Sequence, residues 1–437
     1  MTSNAPRVGL FGLLGSGNLG NDGSLEAVLG YLRASHPDAR LSAMCGGPEL
    51  VAQRYGIAAT PLHWYRGEYR TASGATAVAR KGLGKIVDVF RTAAWVRRQD
   101  AVIVPGMGVL EATLPLRPWG TPYSLLLLCA AGRLFGTKVA LVCVGSDVIS
   151  QRATRTLVSW AARLAGYRSY RDELSRTAMR TMGVDTSTDE VYPDLAFALP
   201  TPAPRPHLVG TVGVGVMAYH GGNGDRGQAE QIYQDYVGNL KRFVRWLVDN
   251  GRQVRLFTGD RVDEPVVAEI IADLLAQRRD LPASAVTAAS ANSLDELMRE
   301  MSAVDAVVAT RYHNVLCALK LGKPTLSVGY AAKNEVLMAE LGLARFCHAE
   351  RNIELDRLIG QFTGVERLAP QMGITRAERN RDAARRLGDQ FAVLSATLFP
   401  GHEPAPVAAL TEPVAEPVDE PTAEPAVEPV AGQESVR

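Results

Sequence analysis

Two doubly wound, Rossmann-like α/β domains are the fold this sequence predicts, and three observations predict it. Short runs rich in Val, Ile and Leu alternate with stretches of helical period along most of the chain. That alternation is the signature of parallel strands covered by helices on both faces. The segment Leu199–His207, with four prolines in nine residues, interrupts the alternation once, and the pattern then restarts. At 437 residues the chain also exceeds what one hydrophobic core ordinarily organises. The expected division is an N-terminal domain over 1–198, a linker over 199–207, a C-terminal domain over 208–400 and a tail over 401–437.

In order, RVGLFGL reads as a strand, SLEAVLGYLRASH as a helix and RLSAMCG as the second strand. RTAAWVRRQ closes a further helix ahead of the strand DAVIVPG, and SLLLLCAAGRLFG is a core helix before the strand KVALVCVG. SQRATRTLVSWAARLAG has helical period, YRSYRD is extended, and ELSRTAMRTMG is a helix stopped by Gly183. Beyond the linker, TVGVGVMAY, QVRLFTG, DAVVAT and TLSVGY are strands. The helices there are QIYQDYVGNLKRFVRWLVDNG, EPVVAEIIADLLAQ, SLDELMREMSA and NVLCALKLG, the last ended by Gly322 and Pro324. After His402 an E-P-x-x theme without aromatic residues has nothing to build a core from, so an acidic, Pro-rich, disordered tail is expected. The stretch Arg80–Arg98 is basic and partly amphipathic, which fits a scaffold helix leading into AVIVPG or contact with an anionic membrane surface.

Composition narrows the function classes. Lys+Arg is 47 and Asp+Glu is 46, which gives nucleic acid no electrostatic handle. The balance is uneven: the tail from Glu403 holds eight acids against one arginine, a net of −7, which leaves +8 on the rest of a chain totalling +1. A mildly basic body suits an anionic substrate. The five cysteines lie in apolar runs without CxxC, and the seven histidines show no HxxxH spacing, so reduced buried thiols and no metal centre are expected. MTSNAPRVGLFGLLGSG lacks a basic n-region, so no signal peptide is expected. A cytoplasmic setting follows from these features.

Four loops carry residues suited to chemistry. GLLGSGNLGNDGSLEAVL contains a literal Gly-x-Gly-x-x-Gly at Gly15, Gly17 and Gly20, between a strand and a helix. Dinucleotide binding is disfavoured, because Asn21, Asp22 and Gly23 delay the helix, Asp22 repels a phosphate, and Glu49 comes too late for a ribose. A polar loop with Asn18 and Asp22 bonded to an acceptor hydroxyl fits better. In VPGMGVLEATLPLRPWG, Gly106 and Gly108 allow close approach of backbone to a ligand, or simply a tight turn. YRSYRDELS is expected to place Arg168 and Arg171 on one side of an extended segment, with Asp172 capping the next helix and Arg171 near its positive end. In VVATRYHNVLCALKLGKPT, Arg311 and His313 follow a strand's carboxyl end and open a helix. A permanently charged fork beside a tunable imidazole can hold an anion and move a proton.

Together GNLGNDGSLEA, DAVIVPGMGVL, YRSYRDELS, VYPDLAF, SLDELMREMSAVDAVVATRYHNVLCALKLGKPTLSVGY and KNEVLMAELGL resemble the polysaccharide pyruvyl transferase family across most of residues 7–345. In this chain the family's Gly-Asn-x-Gly-Asp-Glu lacks its Glu and gains Asn21, Gly-Met-Gly stands for a triple glycine, and Tyr312 stands for the commoner Leu. The resemblance implies a GT-B-like pair of domains and transfer of the pyruvyl unit of phosphoenolpyruvate onto two hydroxyls of a sugar. It implies Arg311 and His313 as the catalytic pair, Arg171 with Arg311 on phosphoenolpyruvate, and no metal or cofactor beyond that donor substrate. The implied partner is a carbohydrate or lipid-linked glycan; a lipid-linked one would set the enzyme at the inner face of the membrane. Two further readings stay open: a nucleotide-sugar glycosyltransferase of the same architecture, with Glu335 on the ribose, and a non-catalytic carbohydrate-binding assembly protein with the tail as recruiting arm.

Overall fold

The computed structural model describes residues 5–65, 75–112, 117–221, 225–328, 331–348, 354–368 and 373–401. Seven parallel strands, β1 (Arg7–Gly12), β2 (Arg40–Cys45), β3 (Ala58–Pro61), β4 (Ala101–Pro105), β5 (Lys138–Val144), β6 (Tyr167–Tyr170) and β7 (Glu190–Val191), lie in the order β3-β2-β1-β4-β5-β6-β7. The helices among them are α1 (Leu19–Ser35), α2 (Pro48–Tyr55), α3 (Ala75–Val96), α4 (Thr121–Phe135), α5 (Arg152–Leu164) and α6 (Glu173–Thr181). The second sheet is also parallel: β8 (Thr211–Gly215), β9 (Gln253–Phe257), β10 (Val286–Ala288), β11 (Ala306–Ala309) and β12 (Thr325–Ser327), in the order β10-β9-β8-β11-β12. Its helices are α7 (Ala229–Asp249), α8 (Glu264–Gln277), α9 (Leu294–Ser302), α10 (Tyr312–Lys320), α11 (Ala332–Glu340) and α12 (Leu355–Leu368). A last helix, α13, spans Gly373–Leu398.

Burial explains the strands. Every residue of β4, β8 and β11 is buried, as a strand covered on both faces demands. Both sheets reverse their strand order once, between β1 and β4 and between β8 and β11. Ligands of doubly wound sheets lie at such switch points, outside the carboxyl ends of the strands.

One domain boundary departs from expectation. Residues 373–400 do not complete the C-terminal domain. Leu387, Phe391, Leu394 and Leu398 form one face of α13 and join the N-terminal core, where Phe391 stacks on Tyr31 with ring centroids 4.5 Å apart. The 4-3-4 spacing that makes this face amphipathic carries no mark of which core it serves. Gln390 Nε2 donates to Ser169 Oγ at 2.6 Å, and the hydroxyl of Ser395 bonds both Tyr31 and His36.

The proline-rich segment has no regular structure, and the N-terminal domain meets the C-terminal one beside it. Buried Lys320, at the end of α10, donates to the carbonyls of Ala196, Phe197 and Leu199 at 3.0, 2.8 and 2.5 Å. The five cysteines are free and buried. No helix among the described residues is long and apolar enough to cross a membrane. Of the tail expected over 401–437, residues 402–437 lie outside the described residues.

Candidate active site

The loops after β1, β4, β8 and β11, the four strands at the two switch points, converge on a cleft of ≈ 650 Å³ between the domains. Leu13 and Ser16 come from the first loop, Met107 and Glu111 from the second, Met217 from the third, and Arg311 and His313 from the fourth. α10 and α11 both begin here, at Arg311 and Ala331, and neither start has a side-chain cap. Helix starts of this kind present positive potential and backbone N–H donors.

Arg171 is almost wholly buried at the floor, immediately before α6, whose N-cap Asp172 accepts from Ser175 N at 2.7 Å. Its Nη2 donates to Glu111 Oε1 at 2.5 Å, and Lys333 Nζ reaches Glu111 Oε2 at 3.1 Å. Asp172 and Asp194 carboxylates lie 3.6 and 3.8 Å from the guanidinium, and the Tyr312 ring lies beneath it at 4.8 Å. Burial weakens both charges of the central pair. Lys333, then Arg171, nevertheless hold the Glu111 carboxyl down at about 2, and Glu111 foremost keeps the Arg171 pKa raised. The Glu111 carboxylate rests against Gly108 and, with Arg171, against Gly145, where any Cβ would overlap it.

His313 Nε2 is buried without a hydrogen bond, 3.7 Å from Asp194 Oδ2. Asp194 is held ionised: burial pushes its pKa up, but His313 and then Arg171 bring it below the usual carboxylate range. The opposite edge of the imidazole, with Nδ1, lies on Gly20, where a Cβ would overlap the ring. Arg311 donates from Nε and Nη2 to the two carboxylate oxygens of fully buried Asp263, at 2.7 and 2.8 Å, a bidentate pair that fixes its plane. Its Nη1 lies 4.0 Å from Asp260 Oδ2.

The expected residues divide. His313, Arg311, Arg171, Asn18 and Gly108 line the cleft; Asp22 and Gly106 do not. Asp22 is buried beneath the first loop, and its Oδ1 accepts from Gly15 N at 2.6 Å, so it staples the loop instead of facing an acceptor. Asn18 has both ends engaged: Oδ1 caps α1 through Gly20 N and Asn21 N, and Nδ2 donates to Asp260 Oδ2 at 2.8 Å across the domain boundary. Gly106 adopts φ 53° against Ser24, and Met107 after it adopts φ 64°, a strained value for a residue with a Cβ. The space left by Gly108 is filled by Glu111, so close backbone approach serves a carboxylate of the protein itself. Arg168 is absent from the cleft and pairs with Asp189 at 2.8 Å. Residues three apart in an extended chain face opposite sides, which separates it from Arg171. The glycine motif is likewise reassigned: Gly15 passes over Gly47, Gly17 lies against Arg261, and Gly20 against His313. Two of its three glycines admit side chains of the other domain where a pyrophosphate would lie.

The family model described as "Polysaccharide pyruvyl transferase" matches residues 18–331, from Asn18 at the start of α1 to Ala331 at the start of α11. The chain belongs to the polysaccharide pyruvyl transferase family. Membership implies a transferase with a carbohydrate acceptor. No curated protein matches the chain in sequence. Among solved structures, UDP-GlcNAc 2-epimerase from Methanocaldococcus jannaschii is 8% identical, with TM-score 0.54 over 88% of this chain and 99% of that one. The Neisseria meningitidis UDP-GlcNAc 2-epimerase bound to UDP-GlcNAc is 13% identical, with TM-score 0.52 over 90% and 99%. Anabaena Alr3699/HepE in complex with UDP-glucose is 14% identical, with TM-score 0.53 over 90% and 100%. At these identities the likeness shows the fold, a GT-B-like pair of parallel-sheet domains. In this pyruvyl transferase family member, Glu111, Asp194, Asp263 and Lys333 are site residues that sequence reasoning missed. Asp194 and Lys333 stood within VYPDLAF and KNEVLMAELGL, and Glu111 three residues past Gly108; Asp263 lies just ahead of EPVVAEIIADLLAQ and drew no reading.

Proposed function

We propose that this chain transfers the pyruvyl group of phosphoenolpyruvate to two hydroxyls of a sugar in a glycan, forming a cyclic ketal and releasing phosphate. One observation carries the reading: Arg171, Arg311 and Lys333 converge with two uncapped helix starts on a cleft that also holds His313. Two anionic groups on one small substrate, a phosphate and a carboxylate, suit that set of donors. Each cation already faces an acid of the protein, Glu111 or Asp263, which makes the site a preorganised array and not a loose positive patch.

In this reading His313, protonated and steadied by Asp194 beside Nε2, delivers a proton to the methylene carbon of phosphoenolpyruvate. The adjacent carbon becomes oxocarbenium-like, and a sugar hydroxyl adds to it and gives its proton back to the imidazole. The carbon–oxygen bond to phosphate then breaks, the imidazolium passing that proton to the departing phosphate. A second hydroxyl adds to the same carbon and releases its own proton, which restores the histidine. Tyr312, where the family more often has Leu, supports Arg171 from below through its ring.

The test is phosphate release from phosphoenolpyruvate across a panel of glycosides, with mass spectrometry for the added pyruvyl mass. His313→Ala is expected to slow release by about 10²–10⁴-fold. Turnover of a nucleotide sugar with no response to phosphoenolpyruvate overturns the reading.

A further inference from the structure

The outward face of α3 is apolar where a surface helix is ordinarily polar. Val78, Leu83, Ile86, Val89 and Phe90 are 60, 52, 59, 38 and 70% exposed, and at 100° per residue they share one side of the helix. Leu134 and Phe135 are exposed at the end of α4, which Thr137 Oγ1 ties to the end of α3 through the carbonyls of Val96 and Gln99. Exposed arginines fringe the face: Arg80 near one end, and Arg97, Arg98 and Arg133 at the other. The single acid of α3, Asp88, is buried and engaged by Trp64 N and Arg91. At the end nearer the cleft, Trp64 and Trp119 are exposed, and Trp119 stacks edge-on against Tyr123. Tyr123 OH donates to Lys85 O, while its neighbours Thr121 and Pro122 line the cleft.

We infer that this face of α3 lies on an anionic lipid surface. Exposed apolar side chains, fringing arginines that pair with no acid among the described residues, and tryptophans at the margin are what an interfacial helix needs. A second copy of the chain is the poorer occupant. A two-fold contact through α3 brings like-charged fringes of Arg80, Arg97, Arg98 and Arg133 together, whereas lipid phosphates neutralise them. Because α3 meets the cleft rim through Tyr123, a docked enzyme holds its cleft beside the bilayer, where a lipid-anchored glycan is presented. That last consequence rests on the transfer reaction proposed above; docking itself does not.

Sedimentation with vesicles of phosphatidylcholine alone, or mixed with phosphatidylglycerol, tests docking without any turnover. The full chain is expected to bind the mixed vesicles, to bind the neutral ones far less, and to release in high salt. The variant Ile86→Glu with Phe90→Glu changes only exposed positions and is expected to bind at least about tenfold more weakly, with an unchanged circular dichroism spectrum. Absence of binding, or equal binding by the variant, overturns the inference. So does light scattering that shows a dimer lost in the variant with no vesicle binding by either protein. On a water-soluble glycoside the variant is expected to keep wild-type phosphate release and to lose it selectively on a lipid-linked glycan. Failure of both proteins on both acceptors refutes the reaction and leaves the vesicle result standing.

Discussion

Gly20 shows how much a single missing side chain can decide. It lies against the His313 ring from across the domain boundary, and a Cβ there would overlap the imidazole. Gly20→Ala is therefore expected to turn His313 away and reduce phosphate release by about 10²-fold or more. Gly30→Ala, further along the same helix with open space around it, is expected to leave the rate alone and to raise stability by about 0.5–1 kcal/mol. Equal rates for the two variants refute the packing argument. Arg311 and His313 were legible because a charged fork and an imidazole at a strand's carboxyl end need only local sequence to be seen. The acids that hold them, Asp263 and Asp194, were not, since each pairing joins residues 48 and 119 positions apart by their numbering. Nothing local marks such a partner.

At the scale of elements, α10 does two jobs at its two ends. Its start carries Arg311 and His313, and its end anchors Lys320 to three carbonyls of residues 196–199, the segment that Asp194 begins. Histidine and aspartate thus keep their separation because one helix is pinned at the far end. Lys320→Met orphans three buried acceptors and is expected to cost about 2–4 kcal/mol, read as a lower urea midpoint. An unchanged midpoint means the carbonyls find water. Strands were the most legible elements: β1, β4, β5, β8 and β11 are buried on both faces and appear as unbroken apolar runs. The shorter β3, β7 and β10 escaped notice, because edge strands of two to four residues with partly exposed side chains carry neither length nor pattern.

At the scale of the whole molecule, the two-domain plan was readable from the alternation and its proline break, but the path of the last helix was not. α13 closes the core of the domain that the chain had left about 170 residues earlier. Phe391→Ala, which removes the ring stacked on Tyr31, is expected to destabilise the N-terminal domain by about 3–5 kcal/mol. Tryptophan fluorescence reads this directly, since Trp64, Trp95, Trp119 and Trp160 lie in that domain and Trp246 alone lies in the other. An unchanged tryptophan transition refutes the contribution of α13. The same threading sets an order for biosynthesis. A ribosome adding about 5–20 residues per second needs roughly 10–40 s to pass from the end of the first domain to the end of α13. Throughout that interval the surface around Tyr31 and His36 is without its cover, and a nascent-chain chaperone has its longest task there. A transcript broken anywhere in its second half therefore yields an unfinished first domain as well as an unfinished second.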